Sequence, residues 1–460
     1  MSIARELARR IKAFCYDDLP DDAVAWAKMA ILDTVGVTLA GANEDCVRIV
    51  EHVQGPGPGP CLIFGRRVRT NPLDAALING TASHALDFDD FAITIGGHPS
   101  VPLVPALMAL GETQATSGRD VITAYVAGYE TQSRIAKAVN FHHYEKGWHP
   151  TATLGIFGTV AASAHLLDLG EQETETALAL AVSLASGVKA NFGTMTKPLH
   201  VGHSVRGGVQ AVLLAGQGFT ANGEAFEDKQ GFFNVFNGPG NFDSERIFDG
   251  WADPLDIIDP GLGLKQFPCC GSTHPAISCM LDLVQGHGLT ADDAAGIEVR
   301  TNPRRLPHTD NPDPQSPLEA KFSMHYAVAR ALLDGRVALD HFEGEAFNDR
   351  SVRKIMDIVT VGEHPDMGAE TDNQFGAEVT VTREGGKTVS ARIDHQLGRG
   401  PANPMSRDEL WAKFEDCAGR VLPQDRILAV FDLLENFETL SAITDLTTIM
   451  VTENRREKIG

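Results

Sequence analysis

Gly155-Ile-Phe-Gly-Thr-Val-Ala-Ala-Ser-Ala-His-Leu-Leu167 marks the chain as mainly helical. Small side chains dominate it, so a helix formed here lets its neighbours approach closely. Ala177 to Gly187 has the same texture, and the two segments read as central, buried helices. Towards the N-terminus, Ala23 to Leu39 shows helical apolar periodicity, opened by Asp21 and Asp22 and stopped at Gly41. Asn71-Pro72 supplies an N-cap and a proline at the first helical position, ahead of Leu73, Leu77 and Ile78. Between these, Gly55-Pro-Gly-Pro-Gly-Pro60 reads as a loop, because alternating glycine and proline sustain neither helix nor ladder.

Towards the C-terminus the texture changes near residue 290. Ile297 to Thr301 and Ile358 to Val361 alternate as strands. Glu378 to Thr382 and Thr388 to Ile393 alternate too, and Gly385-Gly386 between them signals a hairpin. Phe322 to Leu333 reads as a helix ending at Gly335. After Pro401 and Pro404, Ser406-Arg-Asp-Glu409 fits a capping box ahead of another helical segment. The expectation is a mainly α chain with an α+β second domain: residues 1–268 and 402–460 form the all-helical domain, and 269–401 the inserted α+β domain.

A length of 460 residues supports two such cores. Acidic residues (61) outnumber Lys and Arg (39), for a net charge of −22. That balance argues against nucleic acid and anionic membrane surfaces as partners. It also means that an anionic ligand needs cations gathered locally. No stretch approaches eighteen unbroken apolar residues, so no transmembrane span is expected. The N-terminus mixes Arg5, Arg9, Arg10 and Lys12 with Glu6 and reads as a surface helix, not a signal peptide. Seven scattered cysteines without a CxxC pair suit a reducing cytoplasm and give neither a disulfide framework nor cluster-ligand spacing.

Three clusters carry polar chemistry. Asp87-Phe-Asp-Asp90 is followed by Gly96-Gly-His98-Pro-Ser100. A Mg²⁺ site on Asp87, Asp89 and Asp90 is weighed below an acidic capping segment, since no second aspartate-rich motif accompanies it. His142-His143-Tyr144 precedes Gly147-Trp-His149-Pro150, and zinc is weighed below capping histidines because no HExxH arrangement is present. His149, at a loop-to-helix entry, is the best placed to face a cavity. Asn191 to His200 puts Thr, Lys197 and His200 where a loop enters a helix, an anion-receiving arrangement that is not a P-loop. Further on come Lys265, Cys269-Cys270 and His274, then Tyr326 in an Ala- and Leu-rich helix. A thiol nucleophile at the cysteine pair is weighed below simple burial.

Taken in order, NGTASHALDFDD, GHPS, GWHPTATLGIFG, GTMTKPLHVGHS, KQFPCCGSTHP and the Tyr326 helix resemble the MmgE/PrpD family along nearly the whole chain. That family holds dehydratases, decarboxylases and epimerases of small polycarboxylic acids. The resemblance implies an all-helical domain plus a smaller α+β lid domain, usually as a homodimer. It also implies no metal and no other cofactor. Residue by residue, it carries site roles onto Asp87, His98, His149, Lys197, Lys265, His274 and Tyr326, while Tyr144 matches a tyrosine of the epimerase branch. One departure stands out: dehydratase- and decarboxylase-like members follow DFDD with Thr and a Trp-His pair, whereas Phe91-Ala-Ile-Thr-Ile-Gly-Gly97 stands here.

The chemistry expected is removal of a weakly acidic carbon-bound proton beside a carboxylate. Lys197 and Lys265 are expected to stabilise the resulting aci-carboxylate. His149 and His274 suit proton transfer, near the ordinary imidazole value of about 6.5. Asp87 would orient a histidine or bind a hydroxyl, and His98, Tyr144 or Tyr326 would supply the second acid. His98, Lys265 and His200 are expected to bind substrate. Dehydration of a 2-methylcitrate-like acid is the leading expectation, with epimerisation of an imino-dicarboxylate and decarboxylation of a cis-aconitate-like acid as alternatives. All three outcomes share these groups.

Overall fold

The computed structural model describes residues 2–451 apart from 115, 369, 370, 372, 374, 396 and 397, so the end of the 402–460 segment lies outside the described residues. The chain divides into two compact units, Met1–Leu264 with Met405–Gly460, and Lys265–Pro404. It is mainly helical, with one small mixed sheet.

The first unit is a helical assembly whose centre is held by close backbone approach. Helix Gly155–Leu166 lies against helix Gly118–Val139, and a Cβ on Gly128 would sit 2.8 Å from the Ala162 Cβ and the Gly158 carbonyl oxygen. Packing at this density leaves no room for a methyl group. Helix Pro72–Ser83 is opened by Asn71, whose side chain accepts from the Leu73 and Asp74 N–H groups. It packs on helix Thr196–Ala215 through Gly80 and Gly202, where a Cβ on Gly202 would fall 2.4 Å from the Leu77 carbonyl oxygen. The expected box forms at Ser406 and Glu409, opening helix Arg407–Ala418.

Helix Asp21–Gly41 is long and apolar enough to cross a bilayer, and 78% of its most apolar window is buried inside the unit. It carries Asp33, 2.5 Å from the Lys413 ammonium, with both side chains almost wholly buried. A buried, ion-paired aspartate facing helix Arg407–Ala418 marks it as a core helix.

Two segments differ from the sequence expectation. Pro58–Leu62 is a short strand paired antiparallel with Arg69–Thr70, where a loop was expected. The register shifts between Pro58 and Cys61, so the prolines fall at the strand end and bulge, where no ladder N–H is required. The small-residue helix runs Glu171–Leu184 and stops short of Gly187. Gly187 takes φ +122°, and its carbonyl accepts the His149 N–H at 3.1 Å.

The second unit holds a four-stranded sheet in the order Val359–Glu363, Ala294–Thr301, Ala377–Arg383, Thr388–Ile393. The first pair is parallel and the others antiparallel. Ala377, Val379 and Val381 alternate inwards with half-buried residues, as period-2 patterning requires. They join Ile277, Met280 and Leu283 of helix His274–His287 and Val328 and Leu332 of helix Met324–Asp334 in one core. The latter helix is capped by Ser323 and ends at Gly335, φ +63°.

Candidate active site

Two helices deliver the central charges of the first unit. Helix Pro72–Ser83 ends at His84, and the following loop carries Asp87, Asp89 and Asp90. Lys197 stands in the first turn of Thr196–Ala215, with its Nζ 2.8 Å from Asp87 Oδ1. Asp87 adopts φ +54°, a left-handed conformation that costs a non-glycine residue roughly 1 kcal/mol. The loop is held there from below. Phe91 and Gly263 exchange backbone hydrogen bonds, and the Lys413 ammonium donates to the Phe88 carbonyl at 2.9 Å and lies 4.1 Å from the Phe88 ring centre.

His98 is brought alongside by its backbone N–H, which donates to Thr151 Oγ1 at 3.1 Å. Gly97 permits this approach, since a Cβ there would sit 2.7 Å from the same oxygen. His98 Nε2 lies 3.6 Å from Asp87 Oδ1, and its Nδ1 lies 2.9 Å from Asp89 Oδ2. That same Asp89 oxygen accepts from His84 Nδ1 at 2.8 Å. The His84 contact is aligned as a hydrogen bond, and the His98 contact is off-axis.

His149 sits at the entry to the short helix Pro150–Thr153, with its ring stacked on His84 at 5.6 Å and edge-on to Phe192 at 4.9 Å. Its Nδ1 is 3.2 Å from His200 Nδ1, and its buried Nε2 has no hydrogen-bond partner among the described residues.

Burial and neighbouring charges set the protonation states. Burial holds His149 well below the ordinary imidazole value, and the nearby Lys197 ammonium acts in the same direction. Burial likewise lowers His84 to about 4 and lowers His200. Burial would raise Asp89, but His84 and His98 outweigh it and keep the carboxyl well below its usual range. Asp90 goes the other way. Buried, and beside Asp89 and Asp33, it is pushed up to about 8 despite hydrogen bonds from Ser100. The site therefore combines an ionised Asp89, a protonated Asp90 and neutral His84 and His149 at neutral pH.

Of the residues expected from the sequence, the structure gathers Asp87, His98, His149, Lys197 and His200 within the first unit. Tyr144 stands on helix His142–Glu145, with the Lys189 ammonium 3.3 Å from its ring centre. Lys265, His274 and Tyr326 belong to the second unit, where all three are buried. The Tyr326 hydroxyl donates to the His341 carbonyl and accepts from Arg330 Nε at 3.0 Å. His143 uses Nδ1 on Asn237 Oδ1 (2.9 Å) and Nε2 on Thr153 Oγ1 (2.8 Å), which leaves no nitrogen for zinc. Burial raises the Cys269 thiol to about 12, far from a nucleophilic thiolate.

Sequence reasoning missed His84 and took Asp89 as part of an acidic capping segment, with a cation site as the lesser alternative. The signal available was their spacing, five residues across a helix end, which lets a loop carboxylate turn back onto the imidazole. Ligand atoms of His84, Asp87, Asp89 and His98 do lie within 4.8 Å of one another. Their pairings are those of hydrogen bonds and ion pairs, and Asp87 already faces an ammonium. The arrangement is better suited to moving protons than to ligating a metal.

An ammonium, carboxylates and several imidazoles in a shielded cluster define an acid–base centre. Residues 5–245 match the MmgE/PrpD N-terminal domain and residues 267–436 the MmgE/PrpD C-terminal domain. The chain belongs to the MmgE/PrpD family. It is similar to a cis-aconitate decarboxylase of Homo sapiens, 30% identical over 98% of this chain and 94% of that one. A cis-aconitate decarboxylase of Aspergillus terreus is 25% identical over 97% and 96%. A 2-methylcitrate dehydratase of Salmonella typhimurium is 24% identical over 88% of each chain.

Proposed function

We propose that this chain is a cofactor-independent lyase of a small polycarboxylic acid, and that its reaction is decarboxylation of a cis-aconitate-like acid. The observation carrying the reading is the convergence of Lys197, Asp87, His98 and His149 in one largely buried cluster. Lys197 would anchor a substrate carboxylate and offset the repulsion from a molecule of net charge −22. Asp87 would hold that ammonium in place before the substrate arrives.

In the reaction, the bond to one carboxyl carbon breaks and leaves as CO₂, and its electron pair stays on the carbon skeleton as a carbanion. A neighbouring ammonium stabilises the developing charge, and an imidazole N–H delivers the proton that completes the product. His149, shielded and neutral at rest, is the group proposed to take that proton up from solvent and pass it to the carbanion, returning to the neutral ring. Such general acid assistance is typically worth roughly 10²–10⁴-fold. Decarboxylation is favoured over dehydration by the longer and closer match to decarboxylases.

The second reading is dehydration of a citrate-like hydroxy acid, which the similarity to 2-methylcitrate dehydratase favours. One experiment separates the two. Purified protein is given a panel of unsaturated and hydroxylated tricarboxylates, and released CO₂ and the NMR spectra of products are followed together. Stoichiometric CO₂ from an unsaturated acid supports decarboxylation. A new double bond without CO₂ selects dehydration, and neither product across the panel would sink both.

A further inference from the structure

We propose that Asp89, braced by His84, is a positioning residue that fixes the tautomer of His98 with hydrogen on Nδ1, so that His98 presents Nε2 to Asp87 and Lys197. The inference rests on the acid–base reading of this cluster and assigns work to two residues that reading leaves idle.

One oxygen, Asp89 Oδ2, lies 2.8 Å from His84 Nδ1 and 2.9 Å from His98 Nδ1. The Asp89 and His84 side chains are fully buried, and that of His98 is only one-tenth exposed. An ionised carboxylate can only accept, so a nitrogen held against it carries hydrogen: His84 Nδ1 does so in an aligned hydrogen bond and His98 Nδ1 in an off-axis contact. Both imidazoles are thereby directed to the Nδ1–H form. The two rings pack edge to face at 4.7 Å, which leaves His98 little freedom to turn over. The Phe91 ring also packs edge to face with His98, at 5.7 Å.

What remains on His98 is Nε2, 3.6 Å from the Asp87 oxygen that also holds Lys197. His84 then has a second function. Its Nε2 is buried without a hydrogen-bond partner among the described residues, which suits a neutral ring. Stacked on His149, a neutral His84 separates the Asp89 charge from that second imidazole without adding a positive charge beside it. The logic is that of a carboxylate–imidazole dyad, where the acid orients the ring and does not itself exchange a proton.

The test uses the full-length protein with ¹⁵N-labelled histidine. Imidazole resonances are assigned with His84→Gln and His98→Gln, and their nitrogen shifts report which atom is protonated. Wild type should show His84 and His98 as Nδ1–H. In Asp89→Asn the His98 signal should move to the Nε2–H form or to a mixture. The turnover number should fall between about a hundredfold and ten-thousandfold, with KM changed less than about threefold.

Glu112→Gln is the matched control: it alters a buried acid of the same unit that pairs with Arg69 outside the cluster, and should leave the His98 tautomer and the turnover number unchanged. A folded Asp89→Asn protein with unaltered His98 nitrogen shifts would overturn the proposal. So would a wild-type His98 found as Nε2–H, which needs no variant to fold. Should the wild type turn over no polycarboxylate, the lyase reading fails while the nitrogen shifts still decide the role of Asp89.

Discussion

Replacing Lys413 with methionine tests how the loop carrying Asp87 and Asp89 is held. The Lys413 ammonium lies 2.5 Å from Asp33 Oδ1, donates to the Phe88 carbonyl at 2.9 Å and sits 4.1 Å from the Phe88 ring centre. Its side chain is 5% exposed and that of Asp33 1%, so water cannot take over either partner. Removing one member of a buried pair costs about 3–5 kcal/mol, because the other charge is left in a low-dielectric surrounding. Methionine preserves most of the volume, so little of that loss comes from a cavity.

The double variant Asp33→Asn/Lys413→Met removes both charges. It should therefore recover at least about 2 kcal/mol relative to the sum of the singles. The assay is urea unfolding followed by tryptophan fluorescence. All four tryptophans (Trp26, Trp148, Trp251 and Trp411) lie in the first unit, so the signal reports that unit alone. A shift in midpoint at constant slope measures the change. Because Phe88 sits between Asp87 and Asp89, the single variant should also lose up to about a hundredfold in turnover, the scale expected from a displacement near 1 Å. A single-variant cost below about 1 kcal/mol, or strictly additive costs, would refute the reasoning.

Other expectations follow from the same cluster. Asp90, raised to about 8, is protonated in the native protein and ionised in the unfolded chain, so its contribution is full below about 3.8 and is lost as pH rises to 8. Asp90→Asn should match wild type near pH 4 and become progressively more stable towards pH 8, with a ceiling of roughly 6 kcal/mol at about 1.4 kcal/mol per tenfold in proton affinity. His84, lowered to about 4, acts in the opposite sense: its contribution is present above 6.5 and lost as pH falls to 4. The variant's stability should therefore rise more steeply than that of wild type between those values, and parallel urea midpoints across the range would contradict this. Lys197→Ala should lower kcat/KM by about 10²–10³-fold while leaving the unfolding midpoint almost unchanged, a split read by steady-state kinetics beside calorimetry. Gly187→Ala forces a Cβ to 3.2 Å from the His200 ring at φ +122°, so it should cost at least about 1 kcal/mol and part His200 from His149. An unchanged melting temperature and unchanged imidazole ¹⁵N shifts would count against that contact.

The sequence alone determined the helical character of the chain and the strands near residues 297, 359, 378 and 388, because periodicity and capping are local properties. Asn71-Pro72, Ser406 to Glu409 and Gly335 each state a helix boundary in a few adjacent residues. It also marked Asp87, His98, His149 and Lys197 as polar residues in glycine-rich settings, and their ordered motifs declared the family. Only the tertiary structure decided that Asp89 stands between His84 and His98, that Asp90 holds its proton, and that Lys413 reaches back more than 300 residues to support Phe88. Those facts depend on burial and on distances across the chain. A carboxylate is a ligand, a dyad member or a neutral acid according to the charges and water around it, and neither is written in the residues beside it.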